Sequence, residues 1–160
     1  MIPIGKIMVG YDFSKYAQKA LEYAASLADK CGAELIVVNI VNQKTVDSLQ
    51  EIADKTFNRS VEKSIEKLAT EFADREIQDR LEKIEKLVEE LATSNLSVKK
   101  IVQVGVPFQT LSKIAEAEKA DLLVVGSKGR GNLKGVLFGS HAEKLFRHCT
   151  VPLLSVRPGK

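Results

Sequence analysis

The stretch "KIMVGYDFSKYAQKALEYAASLADKCGAELIVVNIV", Lys6 to Val41, decides the fold. Its first six residues, Lys6 to Tyr11, are a short apolar run ending at a glycine, which suits a buried strand. Asp12 and Ser14 then offer N-cap oxygens, and Ala17, Ala20, Leu21, Ala24, Leu27, Ala28 and Cys31 recur at helical spacing until Gly32 supplies a stop. Glu34 to Val41 is β-branched and almost continuously apolar, as a parallel strand covered on both faces must be. Strand, helix and strand in this order imply a right-handed crossover in a parallel sheet.

Outward from this unit the alternation continues. Val98 to Gly105 reads as the third strand, Pro107 to Lys119 as a helix with proline near its first turn, and Asp121 to Gly126 as the fourth strand. Ser140 to Cys149 reads as a short helix and Pro152 to Arg157 as the fifth strand, placed near a sheet edge by the prolines at 152 and 158. An exposed apolar edge invites pairing, so a homodimer joined through Pro152–Arg157 is expected. Between the second and third strands, Ala33 to Val104 contains neither glycine nor proline and becomes rich in Glu, Lys, Leu and Ile, which predicts a helical insertion over 43–97. Val61, Ile65, Leu68 and Phe72, then Ile77, Leu81, Ile84, Val88 and Leu91, step by three or four residues as one apolar stripe, expected to pack on the sheet or on another helix. The offset from Phe72 to Ile77 breaks the rhythm, and Asn58 to Ser60 offers an earlier boundary, so two or three helical pieces are expected.

The 160 residues suit one domain, which at this size buries about 70% of its unfolded surface. Cys31 and Cys149 form no Cys-x-x-Cys pair and are expected to be buried small hydrophobes. No basic leader or apolar run near the roughly 20 residues of a membrane span is visible, and a cytoplasmic location is expected. The net charge of +3 is unevenly placed. From Gly126 onward seven basic residues face one acid, Glu143, a field that favours an anion. Trp is absent, and few aromatics stand among those basic residues to stack single-stranded nucleic acid, so a compact phosphate ligand fits better.

"VVGSKGRGNLKGVLFGSHAEKL", Val124 to Leu145, holds five of the ten glycines between an apolar strand and a helix start. Glycine lets main-chain N–H groups approach a ligand, and a helix beginning at Ser140 offers free N–H groups and the positive end of its dipole. In an open parallel sheet ligands gather beyond the carboxyl ends of the strands, here Gly10 to Asp12, Ile40 to Asn42, Gly105 and Gly126. The Walker A spacing fails, because Asn132-Leu133 stand where Lys-Ser/Thr should follow Gly131. The dinucleotide fingerprint fails too, since Gly129-Arg130-Gly131 leads to Lys134 and follows the fourth strand instead of the first.

What does match is Gly126-x2-Gly129-x9-Gly139-Ser140, a pattern that resembles the nucleotide-binding signature of the ATP-binding universal stress proteins. "MVGYDFSKYAQKAL" resembles that family's opening strand, acid and helix, and "GSHAEKLFRHCTVPLLSVRP" its closing helix and strand. The likeness covers roughly residues 1–42 and 98–158. It implies a three-layer, Rossmann-like adenine-nucleotide α-hydrolase-like α/β fold with a five-stranded, mostly parallel sheet, and a homodimer joined through the last strand. It places Asp12 and the backbone near Gly10 and Ile40 against the adenosine of ATP, and Val125, Gly126 and Gly129 beside ribose and phosphates. Gly139, Ser140, His141 and Ala142 would hold the phosphates, with Mg²⁺ held mainly by those phosphates.

Each residue also has a plainer reading. Asp12 and Ser140 can serve as helix N-caps, and Lys128, Arg130 and Lys134 as solvated loop charges. His141 departs from the Val or Thr common in the family; it would donate to phosphate, tune affinity with pH, or simply pack. His148, two turns on, is poorly placed to share a metal with it, and neither has the nucleophile and orienting acid of acyl-transfer catalysis. The leading expectation is a nucleotide-dependent stress-response binding module. The alternatives are a slow ATPase or nucleotidyl transferase using the same pocket, and a nucleotide-free interaction protein.

Overall fold

Because a parallel sheet is covered on both faces, its central strands can be apolar at nearly every position, and five segments of this chain form such a sheet, the outer ones with polar residues among the apolar. In the computed structural model, which describes residues 3–54, 59–91, 96–128 and 140–157, these are β1 (Lys6–Gly10), β2 (Glu34–Asn42), β3 (Val98–Gly105), β4 (Leu122–Gly126) and β5 (Leu153–Val156). Their order is β3-β2-β1-β4-β5 and every pairing is parallel. Alternate residues feed two cores. Ile7, Val9, Leu35, Val37 and Val124 meet α1 (Lys15–Cys31) and the C-terminal part of α3 (Arg59–Glu90) on one face. Met8, Ile36, Val38, Leu123 and Val125 meet α4 (Pro107–Ala117) and α5 (Ser140–His148) on the other. The result is the expected three-layer α/β sandwich, with α2 (Gln43–Asp54) packed against α3.

Local chemistry sets the boundaries. Ser14 Oγ accepts the Ala17 N–H at 3.1 Å and starts α1, and Gly32 ends it at φ 64°, a left-handed position open to glycine. Asp121 Oδ2 accepts the N–H groups of Gly5 and Lys6 at 2.8 and 2.9 Å, pinning the amino ends of β1 and β4 together. As the prolines implied, β5 is an edge strand.

The insertion differs from expectation. α3 runs unbroken from Arg59 to Glu90, through the expected break between Phe72 and Ile77. Ala73 to Glu76 contain no helix breaker, so the five-residue offset turns the apolar stripe by about 140° instead of ending the helix. One stripe therefore becomes two, and only the second faces the sheet. Ile84 is buried and Leu87, Val88 and Leu91 pack on the core, whereas Val61 and Leu68 are 44% and 56% exposed. Cys31 is also a correction: it is exposed, because it occupies the last turn of α1, where the chain is already reversing at Gly32. Cys149 is half-buried.

Among the described residues no helix is long and apolar enough to cross a membrane.

Candidate functional site

From β1 the chain winds outward to β2 and β3, then returns to the other side of β1 for β4 and β5. The reversal lies between β1 and β4, whose crossover helices leave on opposite faces, so a crevice opens beyond their carboxyl ends. Gly10 is in register with Val125 there, and Gly126 is the next residue. β2 is longer than β1: its ladder with β1 stops at Val38, while that with β3 continues to Asn42. The four extra residues wall the crevice on one side.

Main-chain direction follows from the ladder. The carbonyl of Val38 accepts the Tyr11 N–H at 2.8 Å, so two residues on the N–H and C=O of Ile40 point the same way, past the end of β1. On the opposite wall the Ser127 N–H donates to Val156 O at 2.8 Å, so Gly126 turns its own groups toward β1. Ile40 and Gly126 thus face the gap from its two sides. Ser140, the first residue of α5, also belongs at this end, since α5 must run back to deliver β5 parallel to β4. Ala142 is buried, and α5 meets α4 through Lys144, whose ammonium lies 5.0 Å above the Phe108 ring.

The turn from β1 into α1 carries Asp12. Its Oδ1 accepts the Ser14 N–H at 3.0 Å, an Asx turn, so Ser14 alone is the N-cap and Asp12 shapes the approach. Between them Phe13 has φ 63°, which costs a bulky residue about 1–2 kcal/mol. Its ring meets that of Tyr11 edge-on at 5.1 Å and 71°. The Tyr11 hydroxyl donates to Gln18 Oε1 at 2.8 Å; burial, and after it the charge of Asp12, push its pKa up.

Of the two strand-end glycines, Gly126 is demanded by packing against backbone, whereas Gly10 meets only the end of a side chain that can shift. A Cβ on Gly126 would lie 2.8 Å from both the carbonyl carbon and the Cβ of Tyr16, so only glycine lets α1 start this close to β4. A Cβ on Gly10 would lie 2.8 Å from Leu111 Cδ2 on α4. Gly10, Asp12, Ile40, Val125 and Gly126 are therefore brought to one crevice. Gly129 and Gly139 lie outside the described residues, and of Ser140 and His141 only the main chain is described.

Sequence reasoning missed two residues beside these. Asn39, 1% exposed, donates from Nδ2 to the Tyr11 carbonyl at 2.6 Å. Its Oδ1 accepts from Arg80 Nη1 on α3 at 2.9 Å, and the same nitrogen lies 3.4 Å from Ile40 O. A lone asparagine in an otherwise apolar strand was the available signal; Arg80 had none beyond its place at the flank of a helical stripe. Phe13, Glu76, Asp79, Arg80 and Lys83 line an open hollow between the turn and α3. Among the described residues, no group of three or more His, Cys, Asp or Glu is placed to hold a metal.

An open parallel sheet whose winding reverses between two strands that end in glycine belongs to the class of α/β architectures that gather ligands at the reversal point. The model of the universal stress protein family matches residues 3–157, and the chain belongs to that family. It is 28% identical over 152 residues to universal stress protein MJ0577 of Methanocaldococcus jannaschii, covering 95% of this chain and 94% of that one. The solved structure of MJ0577 superposes with a TM-score of 0.74 over 99% of each chain. Universal stress protein UspA from Lactobacillus plantarum, 21% identical, shares the fold at a TM-score of 0.76 over 98% of this chain and 100% of its own. A universal stress protein solved in complex with cAMP, 22% identical, does so at 0.59 over 99% and 100%.

Proposed function

We propose that this protein binds ATP in the β1–β4 crevice and acts as a nucleotide-dependent binding module in a stress response. The observation that carries the reading is the coincidence of two independent features. The winding of the sheet reverses between Gly10 and Gly126, and the pattern Gly126-x2-Gly129-x9-Gly139-Ser140 leaves the same strand end and leads to the start of α5. In this reading Asp12, Gly10 and the main chain of Ile40 meet the adenosine, and Val125, Gly126 and Gly129 flank ribose and phosphates. Gly139, Ser140, His141 and Ala142 take the phosphates at the helix start, and Mg²⁺ rides on the phosphates. A family member of the same fold in complex with cAMP supports an adenine nucleotide as the ligand class. The functional unit is a homodimer paired through β5, acting in the cytoplasm.

The test is a thermal melt with and without Mg-ATP, repeated with AMP and with Gly139→Val. At 100 times the dissociation constant, ligand bound to the folded state alone adds about 2.7 kcal/mol. For a chain of this size that raises Tm by about 5–10 °C. The rise should vanish in Gly139→Val. No rise in wild-type protein already freed of nucleotide would sink the reading.

A further inference from the structure

We propose that Arg80 is a positioning residue for this crevice, through which the helical insertion sets the geometry of the turn bearing Asp12; the inference rests on the nucleotide reading above. The Arg80 side chain is only 16% exposed and its guanidinium is divided between two elements. Nε and Nη2 donate to Glu76 Oε2 at 3.1 and 2.8 Å, one helical turn back on α3. Nη1 donates across to Asn39 Oδ1 at 2.9 Å, with Ile40 O at 3.4 Å. Asn39 then passes the constraint on, because its Nδ2 donates to the Tyr11 carbonyl at 2.6 Å. That carbonyl belongs to the peptide unit joining Tyr11 to Asp12, so the relay from α3 ends on the bond that aims Asp12.

The relay has a fixed direction. A guanidinium can only donate and a peptide carbonyl can only accept, so the Asn39 amide has one orientation that satisfies both. Buried as it is, Asn39 has no water to turn to if Arg80 is removed. The two segments the relay holds are the end of β2, where Ile40 faces the gap, and the turn before α1, where Phe13 already has φ 63°. Anchoring of α3 to the sheet is a separate matter. It comes from Ile84, Leu87, Val88 and Leu91, which share Arg80's side of the helix, about 30° around on average, but lie one to three turns further on and keep their apolar contacts whatever stands at position 80. Removing the guanidinium should therefore loosen the site without undocking the helix.

The test has two arms on the full chain. In nucleotide-free protein, amide hydrogen exchange of Arg80→Met should quicken at residues 11–14 and 40–42 while α4 keeps its protection. Unchanged protection at 11–14 overturns the inference whatever the nucleotide does. In the second arm, titration with Mg-ATP should show Arg80→Met weakened on the order of tenfold. Arg80→Lys should recover only part, since an ammonium cannot span Glu76 and Asn39 together. Equal affinity in wild type and Arg80→Met also overturns it. Should Arg80→Met not fold, the exchange comparison is made on Arg80→Lys, whose single ammonium cannot hold Glu76 and Asn39 together and which should quicken exchange at 11–14 in the same sense. Failure of the nucleotide reading itself is seen separately, as wild-type protein that binds no Mg-ATP, and the exchange comparison then still decides whether Arg80 holds the turn.

Discussion

A methyl group at position 126 has nowhere to go, because the atoms 2.8 Å from it are the backbone carbon and Cβ of Tyr16 at the start of α1. Gly126→Ala should cost about 1–3 kcal/mol by overpacking, and Tm falls about 2–4 °C for each kcal/mol in a chain this long. Moving α1 also moves the turn that carries Asp12, so the same variant should bind Mg-ATP more weakly in a titration. Gly32→Ala provides the contrast. There nothing lies within 4 Å and the cost, about 1–2 kcal/mol, is the φ of 64° alone, with nucleotide affinity untouched. Tyr11 makes the site sensitive to alkali. Its folded pKa is raised, by burial first and by Asp12 second, so the folded state holds this proton more tightly than the unfolded chain. Its contribution is complete below about pH 10, the unfolded value, and is lost as pH rises through the folded value. Urea melts at about pH 9 and about pH 11 should show a larger loss in wild type than in Tyr11→Phe. Sequence marked Gly10, Gly126 and Asp12 as neighbours at the strand ends, because residue type and strand-end position are visible in one dimension. It did not reveal that Gly126 is required by Tyr16, or that Asn39 and Arg80 meet across 41 positions.

The longest element shows where periodicity misleads. Over 32 residues α3 is about 48 Å long, and a rhythm slip that reads as a break is instead a rotation of its apolar face. With no glycine or proline near Phe72 to Ile77, backbone hydrogen bonding continues and only the side chains change direction. The two halves should consequently respond differently to truncation. Ile84→Ala removes a side chain buried against α1 and the sheet and should cost about 2–5 kcal/mol by chemical denaturation. Leu68→Ala, on the exposed half, should stay within about 0.5 kcal/mol of wild type. Equal costs would mean that the first stripe is covered in solution. The strands were read to within a residue or two of their ends, because an apolar run bounded by glycine or proline is a local signal. The direction of a helical face depends on which neighbour it meets, and that is not local.

For the molecule as a whole, the open question of assembly reduces to one strand edge. β5 closes the sheet on one side, and among the described residues no strand pairs with its outer edge. Pro152 O and Val156 O accept from Leu123 of β4 and from Ser127 just beyond it, both at 2.8 Å, so residues 152, 154 and 156 face inward. Leu153 and Ser155 therefore turn their N–H and C=O groups outward, and two copies related by a two-fold axis would complete each other's ladders. Ser155→Pro is the discriminating variant. It removes an outward donor while leaving the inward ladder whole, which an edge strand tolerates. No side-chain bond is lost with it, because Ser155 Oγ is buried without a hydrogen-bond partner among the described residues. Light scattering should give twice the monomer mass for wild type and for Ser155→Ala, and the monomer mass for a Ser155→Pro protein that still melts cooperatively. A Ser155→Pro protein that remains dimeric would move the contact away from β5. A wild type that is monomeric at every concentration would mean that the prolines bordering the strand protect its edge instead of framing an interface.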